Sequence, residues 1–176
     1  MVEKPNPPSH GAHEAAPAPE KLDDKAKALR ATVLDVLKEY HPTPAASLDL
    51  PAVVLKPDVL VPAMRLLRDD TKLRFQMLLL LTTVDYQDHF QLVYHLLSIE
   101  HNHAFVVKVD LHDMNDPRAP SVSSVWAAAD WYEREARDLF GVTFDGHPDL
   151  KPLLLWEGHD GFPGRKSFPF HDFQEW

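Results

Sequence analysis

Hydrophobic positions recur at spacings of three and four from Leu22 onward. Ala26, Leu29, Val33, Val36, Leu37 and Tyr40 form one apolar stripe, which predicts a helix that Pro42 and Pro44 then stop. The short β-branched run Ala52-Val53-Val54-Leu55 predicts a strand. Asp58 is placed to cap a second helix through Val61 to Arg68, with Pro62 tolerated in its first turn. After a break at Asp69-Asp70-Thr71, the run Leu73, Phe75 and Met77 to Leu81 satisfies a buried helix or a buried strand equally well. Alternation in Phe90 to Leu97 and in Ala104 to Leu111 predicts two strands. The short polar link Ser98 to His103 makes them an antiparallel hairpin. Asp113 to Pro120 reads as an irregular loop. Ser121 or Ser123 is then placed to cap a helical region carrying Trp126, Trp131 and Phe140, which Gly141 ends. Helices interspersed with hairpin-like strands predict an α+β fold: a two-layer domain with a mixed or mainly antiparallel sheet and helices packed on it, plus an extended C-terminal tail.

Three regions follow. Residues 1–20 hold five prolines and almost no large apolar side chain, which predicts a disordered N-terminal extension; its His10 and His13 read as tail residues rather than a metal pair. Residues 21–145 form the α+β domain. Residues 146–176 are too rich in Pro and Gly to build a core, so they are expected to lie extended on another surface, that of a partner protein.

Composition narrows the function. The 176 residues carry a formal charge of −9, which argues against nucleic acid and against an anionic membrane surface as partners. There is no cysteine, so disulfides, thiolate metal sites, cysteine-ligated clusters and a cysteine nucleophile are excluded. The N-terminus lacks the apolar run of a signal peptide, and Met77 to Leu81 is too short to span a bilayer. A soluble, cytoplasmic chain is expected. No nucleophile elbow, phosphate loop or dinucleotide fingerprint is present.

Two clusters carry candidate chemistry. His89, His95, His101, His103 and His112, with Asp85, Asp88, Asp110 and Asp113 nearby, could supply zinc or iron ligands; surface and sheet histidines explain them more simply. The second cluster is Glu133-Arg134-Glu135-Ala136-Arg137-Asp138. On a helix, Glu133–Arg137 and Arg134–Asp138 are i,i+4 pairs, and the flanking aromatic residues favour a partly buried ion-pair network that orients the tail.

The motif Glu133-Arg134-Glu135-x-x-Asp138-Leu139-Phe140 is followed after six residues by His147-x-x-x-Lys151-x-Leu153-Leu154. Together they resemble the signature of the thirty-kilodalton subunit of proton-pumping NADH:quinone oxidoreductase, respiratory complex I. Arg165-Lys166-Ser167-Phe168-Pro169 is similar to the family's closing motif, and the likeness runs over roughly residues 50–170. Phe162, Gly164, Ser167, Ala104 and Phe105 depart from the family pattern. The resemblance implies a non-catalytic scaffold protein of the hydrophilic arm, without catalytic, cofactor or metal residues of its own. It implies docking chiefly on the large quinone-site subunit, peripheral to the membrane through the complex. Glu133, Arg134, Glu135, Asp138, His147, Pro148, Lys151, Arg165, Lys166, Phe168 and Pro169 are then the expected partner-interface and tail-anchoring residues, with Arg165 and Lys166 directed at partner carboxylates. The runner-up assemblies are a membrane-bound hydrogenase or an F420-dependent dehydrogenase of the same lineage.

Overall fold

The computed structural model describes residues 22–169; the expected disordered extension 1–20 lies outside the described residues. The first helix, α1, spans Asp24–Val36, and Asp23 caps it by accepting the Ala26 N–H at 2.7 Å. Its stripe turns Val33 and Leu37 into the core. The chain leaves α1 through a 3₁₀ turn, Lys38–Tyr40, and His41 adopts a left-handed conformation. Thus the helix ends before Pro42.

Five strands form the main sheet: β1 Thr43–Ser47, β2 Leu50–Leu55, β3 Met77–Asp85, β4 Phe90–Ser98 and β5 His103–Leu111, in the order β1-β2-β5-β4-β3. β2 pairs β5 in parallel and every other pairing is antiparallel, so the sheet is mixed. The ambiguous segment resolves into turns around Leu73 and Phe75, both fully buried, followed by β3. A bulge between Leu78 and Leu80 shifts its register against β4, leaving Leu79 and Leu80 exposed together.

Helices α2 (Leu60–Asp69) and α3 (Ala129–Phe140) pack with α1 on the inner face of the sheet. Asp58 does not cap α2. It lies in the preceding 3₁₀ turn, Pro57–Val59, and Val59 precedes the helix without a side-chain hydrogen bond. Neither Ser121 nor Ser123 caps α3, whose first flanking residue is Ala128. Both serines sit upstream, where Ser121 bonds the Glu133 carboxylate of the helix and Ser123 bonds Ser121.

The region expected as an irregular loop holds a further strand, β6 (Arg118–Pro120). It pairs in parallel with β7 (Thr143–Asp145), which follows α3. The Ser121 N–H extends this ladder to the Asp145 carbonyl at 2.8 Å. This small sheet brings the residues after β6 and the residues after β7 together at α3, where Ser121 and His147 both reach Glu133.

The inner face is filled by Tyr94, Phe75, Phe90, Phe105, Leu92 and Leu96, all fully buried. Phe105, one of the family departures, packs its ring 6.0 Å from that of Phe75. Phe105→Ala should therefore lower unfolding free energy by about 3–5 kcal/mol, the usual cost of removing a buried phenylalanine, read as a shift in the urea midpoint at unchanged slope.

Candidate interaction site on the third helix and the tail

Three of the charged side chains of the signature motif end on main-chain groups rather than on one another. Asp138 is 4% exposed and sits near the end of α3. Its Oδ2 accepts the N–H groups of Leu153, Leu154 and Leu155 at 2.7, 2.8 and 3.2 Å. Burial opposes the charge on this carboxylate, but the three donors outweigh it and, with Arg137 3.6 Å away, hold the group below its ordinary value. One turn earlier, Arg134 donates Nε to the Lys151 carbonyl and Nη2 to the Pro152 carbonyl, each at 3.0 Å. Its guanidinium lies 5.4 Å from the centre of the Trp131 ring. Five consecutive residues of the tail, Lys151 to Leu155, are therefore held through their backbone.

Glu133 faces the other way, into the core. It is fully buried. Its Oε1 accepts the Val122 N–H at 2.7 Å and its Oε2 accepts the Ser121 hydroxyl at 2.6 Å. Desolvation dominates here: despite both donors, and with Asp130 adding repulsion, the carboxyl rises to about 7. His147, its imidazole also fully buried, lies above: Nε2 is 3.0 Å from Asp130 Oδ1 and 3.9 Å from Glu133 Oε2. Nδ1 accepts the Asp149 N–H at 3.1 Å, which leaves the proton on Nε2, toward Asp130.

The expected Glu133–Arg137 and Arg134–Asp138 ion pairs do not form. A helix offers those spacings, but the main-chain groups of the coreless tail claim Arg134 and Asp138, and Ser121 and Val122 claim Glu133. For the same reason the tail's main chain is not held ready for a partner between Lys151 and Leu155.

At the far end of α3, Gly141 adopts a left-handed conformation, φ 74°, and ends the helix. A Cβ there would meet the Phe162 ring at 2.6 Å and Arg165 Nη2 at 2.8 Å. Arg165, expected at a partner carboxylate, instead donates Nε to the Phe140 carbonyl at 2.7 Å and Nη1 to the Met114 carbonyl at 3.1 Å. Its guanidinium sits between Phe90, at 5.0 Å, and Phe162, at 4.5 Å. The Gly164 N–H donates to the Leu139 carbonyl at 2.8 Å, and a Cβ on Gly164 would come within 2.9 Å of that oxygen. Phe162 and Gly164 thus match each other and the helix end. Nothing in the structure accounts for Ser167, which is exposed. The Lys166 N–H donates to Asp85 Oδ2 at 2.8 Å, tying the tail to the end of β3; the Lys166 residue is otherwise exposed. Phe168 is half-buried against Gly161. Pro148 and Pro169 are exposed, the Lys151 side chain pairs with Asp149 at 3.2 Å, and Glu135 is half-buried on α3.

Sequence reasoning missed Asp85, Asp130, Ser121 and Met114 as parts of this arrangement. The Met114 role rests on a backbone carbonyl and leaves no trace in residue type. Asp130, three residues before Glu133 on a helix, was legible from spacing.

The histidines do not converge. His101 Nε2 faces the Thr71 carbonyl at 3.0 Å and His103 Nε2 the Leu73 carbonyl at 2.9 Å, so both fasten the β4–β5 turn to the segment before β3. His89 stacks on Tyr86 and approaches Asp88 at 2.8 Å. His95 is half-buried in β4, and burial, aided by Lys108, lowers its pKa. Among the described residues no group of three or more His, Asp or Glu could hold a metal ion.

The family model described as "Respiratory-chain NADH dehydrogenase, 30 Kd subunit" matches residues 53–174. The chain belongs to this family. It is 39% identical over 163 residues to an NADH-quinone oxidoreductase subunit of Ralstonia pickettii (strain 12J), covering 88% of this chain and 82% of the relative. It is 43% identical over 126 residues to the equivalent protein of Caulobacter vibrioides (strain ATCC 19089 / CIP 103742 / CB 15), covering 70% of this chain and 63% of that relative. Its fold also matches a chain of the membrane-bound sulfane sulfur reductase, an archaeal respiratory membrane complex, with a TM-score of 0.67 at 26% identity, over 83% of this chain and 86% of that one. The α3–tail clamp lies wholly within the residues that the family model matches.

Asp138→Ala should remove the shared acceptor and cost about 1–3 kcal/mol through the stranded N–H groups. Amide exchange at Leu153 to Leu155 should accelerate selectively. The carboxyl is held below its ordinary value, so the wild-type contact should persist at and above the usual carboxylate range and weaken only as acid protonates Asp138.

Proposed function

We propose that this chain is a non-catalytic scaffold of the hydrophilic arm of an NADH:quinone oxidoreductase, docked on the large quinone-site subunit and supporting electron transfer from NADH to quinone. The observation that carries this reading is where the signature's charges go. Arg134 and Asp138 are consumed in fixing the path of the tail, and Glu133 is closed inside the domain. Catalysis by such groups needs a reacting atom within reach, and these are spent on their own backbone.

The clamp leaves three large apolar side chains outside, among exposed charged residues such as Lys151 and Glu157. Trp131 on α3 and Leu154 and Trp156 on the tail are 59%, 58% and 69% exposed. Large aromatic residues on a rigid surface are the usual anchors of a protein interface. The clamp thus turns a coreless segment into a fixed docking face with apolar anchors. The relatives' names and the higher identity to NADH-quinone oxidoreductase proteins favour that assembly over the sulfane sulfur reductase type. Among the described residues no helix is long and apolar enough to cross a membrane, which fits attachment through neighbouring subunits at the cytoplasmic side.

The test is a Trp131→Glu, Trp156→Glu double variant. Each aromatic anchor should be worth about 2 kcal/mol to docking, so recovery of the quinone-site subunit on the tagged chain should collapse while the isolated chain still unfolds cooperatively. Turnover per assembled complex should remain normal. Normal assembly with lost turnover would overturn the scaffold reading.

A further inference from the structure

We propose that Glu133 is a proton-operated latch for the tail: its side chain, linked toward the surface by the Ser121–Ser123 hydroxyl pair and roofed by His147, sets through its protonation how firmly residues 146–155 are held on α3. The geometry is built by two paired strands: β6 delivers Ser121 and Val122 to the carboxyl, and β7 delivers His147, whose Nε2 faces the same Oε2 that Ser121 bonds. Ser121 is buried, Ser123 half-buried, and their hydroxyl oxygens are 2.7 Å apart.

This pair suits both states of the acid. With Glu133 ionised, the Ser121 hydroxyl donates to Oε2. With Glu133 protonated, the Ser121 hydroxyl can turn, accept from the acid and donate to Ser123 Oγ, because either serine can be the donor in that contact. The same chain of hydroxyls gives the proton a route outward.

The other titratable groups around the carboxyl are Asp130 on α3, Tyr94 from β4 and His147 from the tail. Burial, with the Glu133 charge adding to it, holds Tyr94 far above its ordinary value, so it stays neutral. Its buried hydroxyl has no hydrogen-bond partner among the described residues. Asp130 repels the ionised acid, and His147 separates the carboxyl from solvent on the tail side.

Lifting His147 admits water to Glu133 and returns it toward the ordinary value of 4.5 from about 7. The latched state therefore binds a proton that the unlatched state releases between those values. Glu133's support for latching is complete below the ordinary value and is lost as pH rises through about 7. Asp138 acts in the opposite range, since its carboxylate is charged throughout neutral pH.

The experiment uses the full chain. Amide exchange of residues 146–155, normalised to intrinsic rates, is followed from about pH 4.5 to 8.5 with the Glu133 carboxyl ¹³C shift. Wild-type protection should fall between pH 4.5 and about 7, by at most about tenfold per pH unit for one linked proton, and level off above that, and the carboxyl should titrate near 7. Glu133→Gln should flatten that slope. Ser121→Ala removes a hydrogen bond that favours the ionised acid, so it should move the midpoint to higher pH. An ordinary carboxylate midpoint, an equal slope in Glu133→Gln, or an unmoved midpoint in Ser121→Ala would each overturn the latch.

Discussion

A single carboxylate oxygen, Asp138 Oδ2, gathers three successive main-chain N–H groups, and the path of the tail depends on it. Residues 146–169 have no core of their own, so their conformation must come from what they lie on. Backbone groups laid against a protein surface have to be paired. The tail pairs its own in isolated turns, such as His159 with Trp156 and Arg165 with Phe162, but not at Leu153 to Leu155, whose N–H groups go to Asp138. α3 supplies what is missing: Asp138 for the donors and Arg134 for the acceptors just before them. The helix therefore serves as a template whose polar face matches the order of N–H and C=O groups along the tail.

Glu133 and Asp138 show how far environment outweighs residue type. They are five residues apart on one helix and both are buried, yet one carboxyl is raised and the other lowered. Asp138 faces three N–H donors with a guanidinium nearby, and together they exceed the cost of desolvation. Glu133 has two donors, a repelling Asp130 and a fully closed site, and desolvation wins. The two acids then have separate roles. Asp138 is a fixed charge over the neutral range, suited to a permanent fastening. Glu133 is poised where a proton can be exchanged.

Much of the fold was legible from hydrophobic spacing. The stripe from Ala26 to Tyr40 gave the buried face of α1, and alternation gave β4 and β5 with their hairpin. β1 was not legible, because Thr43-Pro44-Ala45-Ala46-Ser47 has neither alternation nor large apolar residues. It exists because Leu48 adopts a left-handed conformation, φ 54°, that lets the chain fold back on β2 without a glycine. The parallel pairing of β2 with β5 and of β6 with β7 joins segments far apart in sequence, beyond the reach of local pattern. At the site, the residues Glu133, Arg134 and Asp138 were legible but their partners were not. Side-chain spacing on a helix reveals which charges can meet each other; it carries no information on backbone groups arriving from a distant part of the chain.

The departures from the family pattern bear on how the second half of the tail is secured. Gly164 brings its N–H to within 2.8 Å of the Leu139 carbonyl, an approach that a side chain at this position would obstruct. The last carbonyls of a helix need such donors, and α3 obtains them from the tail at Leu139 and from Arg165 at Phe140. Phe162 then closes over Arg165, opposite Phe90, so the guanidinium is stacked on both faces while its N–H groups bond carbonyls. Burial lowers the Arg165 pKa, with Asp85 offsetting part of that, and the cation is retained because a planar fork of donors suits carbonyls at the rim of the stack. A side chain at Gly164 would have to displace the Leu139 carbonyl or the Phe140 ring. This second fastening is a matter of local packing, whereas the acid and the arginine that hold Lys151 to Leu155 act on backbone groups common to any sequence.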